Sequence, residues 1–131
     1  MFAAGTSFWI RGEDPPHLWI ILSDPQIDDQ RVLYVNFTSY DANARPADPR
    51  NDKACLIRPG EHPFVTHPTC VYYYGGQLAS LSHLEWRAAQ GDIRLDVPVS
   101  PELLQRIRKC AGDSLHMEAD AYDVLVNQGL V

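Results

Sequence analysis

Cysteine is scarce in this chain and unpaired in pattern. Cys55, Cys70 and Cys110 are the only three in 131 residues. An odd count with no Cys-x-x-Cys pair argues against a disulfide framework and points to reduced thiols. No apolar run approaches the roughly 20 residues that cross a bilayer, so no membrane partner is expected. The start, Met1-Phe2-Ala3-Ala4-Gly5-Thr6, lacks the basic stretch of a signal peptide, and a cytoplasmic protein is expected. Positive charge is also short: 11 Lys and Arg stand against 17 Asp and Glu, a net charge of −6. A protein that coats nucleic acid non-specifically needs the opposite balance, so any RNA site must be a local basic patch. A Gly-rich phosphate loop is missing too, because Gly75-Gly76 is followed by Gln77-Leu78 and not by Lys-Ser/Thr. Nor is there a nucleophile elbow, a paired-carboxylate motif, a DNA-binding helix pattern, an internal repeat or a low-complexity segment.

What is present is ordinary globular composition, 45% hydrophobic and 21% charged, in a chain one domain long. Ten prolines and eight glycines favour short strands joined by turns. Gly5–Ile10, His17–Ser23 and Arg31–Ser39 read as the first three strands, being short β-branched and aromatic runs bounded by turn residues. In the third, Val32, Tyr34, Asn36 and Thr38 face one way and Leu33, Val35 and Phe37 the other. Tyr40–Lys53 has no periodicity and reads as a long loop whose Arg45 and Arg50 can reach a substrate or partner. Ala54–Arg58 and Thr69–Tyr74 read as further strands, the latter ended by Gly75-Gly76 with Gln77–Leu81 continuing it or pairing with it.

Helices are expected toward the C-terminus. Ser82 and Glu85 fit a capping box for a helix through Ala89, ending near Gly91. Ile93–Val97 reads as a last short strand. Ser100-Pro101 opens a helix with Leu103, Leu104, Ile107, Cys110 and Ala111 on one face. Glu118–Asn127 forms a final helix that packs through Tyr122, Leu125 and Val126. The expected fold is a single mainly β domain, 1–131, with C-terminal helices. Residues 1–81 supply a small, strongly bent sheet or barrel of antiparallel strands, with a long loop at 40–53. Residues 82–131 supply a short helix, the last strand and C-terminal helices that cover one barrel edge. Trp9, Trp19 and Trp86 are expected in the core.

Two groups of residues carry chemistry. The first lies at the strand ends: His17 at the start of one strand, and Thr38-Ser39 at the end of the next. The second is the loop Arg58-Pro59-Gly60-Glu61-His62-Pro63-Phe64-Val65-Thr66-His67-Pro68. Its prolines and glycine restrict its shape and so favour positioning of polar groups. It reads either as a phosphate site, with Arg58 as cation and His62 and His67 as proton donors, or as a rigid connection whose histidines bond backbone groups. His62, His67 and Cys70, joined by Cys55 or His17, offer zinc-type ligands, but their spacing fits no zinc motif. No metal and no cofactor are expected. Tyr72 and Tyr74 share one strand face with Tyr73 opposite, a pattern that fills a core edge or interface, or stacks on bases.

An apolar strand ending in Ser23, then a second ending in Thr38-Ser39, behind an opening Gly5–Ile10 strand, resembles the core pattern of the MazF/PemK-like toxin family. The resemblance covers roughly the first third of the chain. It implies an SH3-like barrel, usually a homodimer, that cleaves single-stranded RNA without a metal and is held inactive by an antitoxin protein. It also implies roles at the scissile phosphate for the residue opening the first core strand and the hydroxyl ending the second. These fall on His17 and on Thr38, with Ser39 beside it. His17 stands where the family has an arginine, and histidine offers acid–base chemistry where arginine offers a permanent fork-shaped charge. Two other functions remain open on the residues alone. One is a non-catalytic SH3-like module that binds a protein or nucleic-acid strand. The other is a metal-dependent hydrolase built on the histidines.

Overall fold

The computed structural model describes residues 1–45 and 47–131; Pro46, in the expected 40–53 loop, lies outside them. Six strands form one antiparallel sheet: β1 (Ser7–Ile10), β2 (Trp19–Ile21), β3 (Val32–Ser39), β4 (Leu56–Ile57), β5 (Thr69–Ala79) and β6 (Ile93–Asp96). Their spatial order is β4-β5-β3-β2-β1-β6, and the sheet curls into a half-barrel. Helices α1 (Leu81–Ala89), α2 (Pro101–Ala111) and α3 (Ala119–Asn127) complete the chain, with a 3-10 turn at Pro49–Asn51 in the long loop.

The alternation along β3 divides the interior in two. Leu33, Val35 and Phe37 join Leu18, Ile20 and Leu22 in one cluster, closed by Leu103 and Ile107 of α2 and Leu125 of α3. Val32 and Tyr34 point the other way and join Phe8, Trp19, Ile21, Leu84 of α1 and Ile93. A sheet covered on both faces explains why the 18–22 run is apolar without interruption. Each fully buried Leu or Ile there contributes about 1.5–3 kcal/mol by leaving water.

α2 and α3 therefore lie on a sheet face, whereas the sequence led us to expect them along an edge. Their bonds to the sheet fix this placement. Tyr73 Oη donates to the Ile107 carbonyl at 2.7 Å, and Arg108 Nε donates to the Leu22 carbonyl at 2.7 Å. At the β4 edge, Arg106 Nη2 donates to the Leu56 carbonyl at 3.2 Å.

Three local expectations change. The strand at Thr69 does not end at Gly75-Gly76: β5 runs through both glycines to Ala79. The pairing shifts there, from Asn36↔Tyr72 to Tyr34↔Gln77, so β5 carries a bulge at this point. Gly75 is needed because the Tyr72 ring lies across its backbone; a Cβ would stand 2.5 Å from Tyr72 Cε2. The cap of α1 is Ser80, whose Oγ accepts from the His83 N–H at 3.1 Å, and not Ser82. The earlier start lets the Leu81 N–H reach the Asp29 carbonyl at 2.7 Å. Finally, α3 buries Ala121, Val124 and Leu125, leaving Val126 exposed, and Trp86 is exposed beside His83 instead of in the core.

Candidate functional site

On the second sheet face Asn36 is still buried, and the cover gives way at Thr38 and Ser39. There, at the C-terminal end of β3, the surface is concave. His17, Thr38, Ser39, Phe64, His67 and Thr69 line a cleft of about 180 Å³ walled by Pro15 and Pro16. His17 and Thr38 also line a wider hollow of about 580 Å³, together with Glu13, Asn36, Arg50 and Tyr72. Two segments expected to carry chemistry, far apart in sequence, thus meet in one groove.

Each member is held by identifiable bonds. Glu13 Oε1 accepts from the His17 backbone N–H at 3.1 Å and from Trp19 Nε1 at 3.1 Å. The same oxygen stands 3.7 Å from His17 Nδ1. The Glu13 carboxylate, fixed by those two bonds, thus faces the His17 imidazole. Across the groove, Ser39 Oγ and His67 Nε2 are 2.8 Å apart. Thr69 Oγ1 donates to the His67 carbonyl at 2.9 Å, and Ser39 pairs with Thr69 in register. Those contacts anchor His67 to the strand end although it is exposed. Among the described residues, the Thr38 hydroxyl has no protein hydrogen-bond partner, so it is available to a ligand in the groove.

The positive charge comes from the long loop. Asp48 caps the 3-10 turn by accepting from the Arg50 N–H at 2.9 Å. Asn51, buried, ties the loop back on itself: its Oδ1 accepts from the Asp41 N–H at 2.8 Å and its Nδ2 donates to the Asp41 carbonyl at 2.7 Å. The Arg50 side chain then lines the hollow and, among the described residues, forms no ion pair.

The remaining sequence candidates lie elsewhere. His62 is 2% exposed. Its Nδ1 accepts from the Phe64 N–H at 3.0 Å, so Nε2 carries the proton and donates to the Val97 carbonyl at 2.6 Å. Both ring nitrogens serve the backbone, and His62 is not among the groove-lining residues. Arg58 lines a separate hollow with Tyr40, Lys53 and Arg106.

Among the described residues, no three His, Cys, Asp or Glu converge as a metal-ion set. Burial pushes the Cys55 and Cys70 thiols up to about 12, which keeps them protonated. Arg50 reaches the groove as one of the two loop arginines expected to be able to meet a substrate, whereas no sequence motif singles out Glu13. Glu13 precedes His17 by four positions in a segment that looks like a plain polar turn, and Arg50 lies in a loop without periodicity. Tyr72 lines the groove while Tyr73 is buried in the core, as their opposite faces on β5 require.

No protein-family model matches the chain, and no curated protein matches it.

Proposed function

We propose that the protein is a metal-independent endoribonuclease of toxin type that cleaves single-stranded RNA by attack of the RNA's own 2′-hydroxyl. The observation that carries this reading is the convergence of His17, His67, Thr38 and Ser39 on one open groove, continued by Arg50. The reaction needs a base, an acid and positive charge at the phosphate. One histidine takes the proton of the 2′-hydroxyl as the 2′-oxygen bonds to phosphorus. The other gives a proton to the 5′-oxygen as its bond to phosphorus breaks. The products are a 2′,3′-cyclic phosphate and a free 5′-hydroxyl. Thr38 donates to a non-bridging oxygen, and Arg50 supplies the permanent charge that His17 does not. Tyr72 presents an aromatic ring on which an unpaired base stacks.

In this reading the curled sheet is a divergent SH3-like barrel of the MazF/PemK kind, and an antitoxin partner covers the groove. The net charge of −6 favours a second reading. In it the same groove holds a protein or nucleic-acid strand without cleaving it. Incubation with single-stranded RNA in the presence of a chelator separates the two. Cleavage lost in both His17→Ala and Thr38→Ala, each still folded, supports the nuclease; binding without cleavage supports the module.

A further inference from the structure

The hollow beyond Thr69 is distinct from the groove and is built differently. It measures about 610 Å³, and Tyr40, Lys53, Arg58 and Arg106 line it. In a chain with only 11 Lys and Arg and a net charge of −6, three cations here form a local basic patch. Their charges are not equivalent. Arg106 is gripped by Glu61 through two contacts of 2.7 Å. Arg106 holds the Glu61 carboxyl down to about 2, so this pair is fully ionised near neutrality and self-compensated. Glu61 also accepts from the Arg58 backbone N–H at 2.7 Å, which fixes the start of the loop. Asp52, next to Lys53 in the chain, is buried and turned to the Ser114 hydroxyl and the Ala54 N–H. Among the described residues, Lys53 and Arg58 form no ion pair. Neither is locked to a carboxylate as Arg106 is, although Glu61 also feels the Arg58 charge and Lys53 borders Asp52 and Asp113 on its other side.

The position of the hollow indicates what those charges meet. Thr69 lines both it and the catalytic groove. Ile57, Thr69 and Ser39 stand side by side on β4, β5 and β3. Neighbouring strands are about 4.8 Å apart, so the end of β4 lies about 10 Å from that of β3. A chain of phosphates laid across these strand ends passes from His67 and Ser39 to Arg58 and Lys53. Tyr40 offers a ring for a base in the same hollow.

We propose that the Lys53–Arg58 hollow binds a second backbone phosphate of the single-stranded RNA, away from the one in the groove. The identity of the ligand as the substrate strand rests on the nuclease reading; the site as a phosphate subsite does not. Arginine's fork suits a phosphate oxygen pair, and lysine adds a point charge.

A short single-stranded deoxyoligonucleotide tests the site, because it lacks the attacking 2′-hydroxyl and is not consumed. Its binding is measured by fluorescence anisotropy over a range of salt for the wild type, Lys53→Ala and Arg58→Ala, with folding checked by circular dichroism. Each substitution is expected to lower the slope of log affinity against log salt by about 0.7, the value of one lost contact on a single strand. Unchanged affinity and slope in both variants overturn the proposal. So does a polyglutamate peptide that needs Lys53 and Arg58 while the oligonucleotide does not, which assigns the patch to an acidic protein segment. The two levels of the argument separate cleanly. If the wild type fails to cleave RNA but oligonucleotide binding depends on these residues, the subsite stands and the nuclease reading falls. If RNA is cleaved and binding is indifferent to both substitutions, the subsite alone falls.

Discussion

Ser39 Oγ and His67 Nε2 lie 2.8 Å apart, joining the last residue of β3 to the loop that leads into β5. In the proposed reaction Ser39 sets the direction of the His67 ring. Ser39→Ala should therefore slow RNA cleavage by less than the about 10²–10⁴-fold expected when an acid–base group is itself removed. The loss should fall mainly on kcat, with KM little changed. Steady-state kinetics on a defined RNA checks this; a loss confined to KM would make Ser39 a binding group.

Gly75 is the point where β5 and the groove depend on each other. Gly75→Ala places a methyl group 2.5 Å from Tyr72 Cε2, and the ring has to move. Overpacking of this kind costs about 1–3 kcal/mol. The midpoint of urea unfolding should drop accordingly, and oligonucleotide affinity should fall with it, because Tyr72 lines the groove.

The contrast between Gly75 and β3 shows what the sequence alone can carry. Alternation along β3 is readable because Asn36 and Thr38 turn one face polar while Leu33, Val35 and Phe37 keep the other apolar. His17, Thr38 and Ser39 are readable as candidates because an imidazole and two hydroxyls stand at the ends of apolar runs, and the fold brings all three to one cleft. Gly75-Gly76 reads locally as a turn; the pairing of Gln77, Leu78 and Ala79 with β3 carries the strand on, and Gly75 makes room for the Tyr72 ring. Ser80 and Ser82 have the same local capping chemistry; the Asp29 carbonyl, distant in sequence, selects the earlier start. Glu13 and Arg50 owe their place to loops folding over the sheet end, which no local pattern encodes.

His62 and His67 sit in one proline-rich loop and do opposite things. His62→Ala removes the acceptor of the Phe64 N–H and one donor to the Val97 carbonyl. The cost should be about 1–3 kcal/mol, that of a buried polar group left without its partner. Activity per folded molecule should fall far less than in His67→Ala. Denaturation curves together with rates corrected for the folded fraction check both halves.

The Glu61–Arg106 pair predicts a pH signature. The hydrogen bonds from Arg106 hold the Glu61 carboxyl down to about 2 in the folded chain, against about 4.3 for a free glutamate. A depressed carboxyl stabilises the fold above its unfolded value and stops doing so as pH falls through its folded value. Wild type should thus be more stable than Glu61→Gln at pH 7, by about 1 kcal/mol given the pair's partial exposure. The gap should close progressively between about pH 4.3 and pH 2, as followed by chemical denaturation at a series of pH values.

The most direct measurement is the chemistry of the RNA ends. Wild type, His17→Ala and His67→Ala are incubated with single-stranded RNA in EDTA, and the fragments are analysed by mass spectrometry. The account predicts fragments with 2′,3′-cyclic phosphate and 5′-hydroxyl ends from the wild type, and a loss of about 10²–10⁴-fold in rate for each folded variant. Intact RNA with the wild type, or variants that cleave as fast as the wild type, would contradict it.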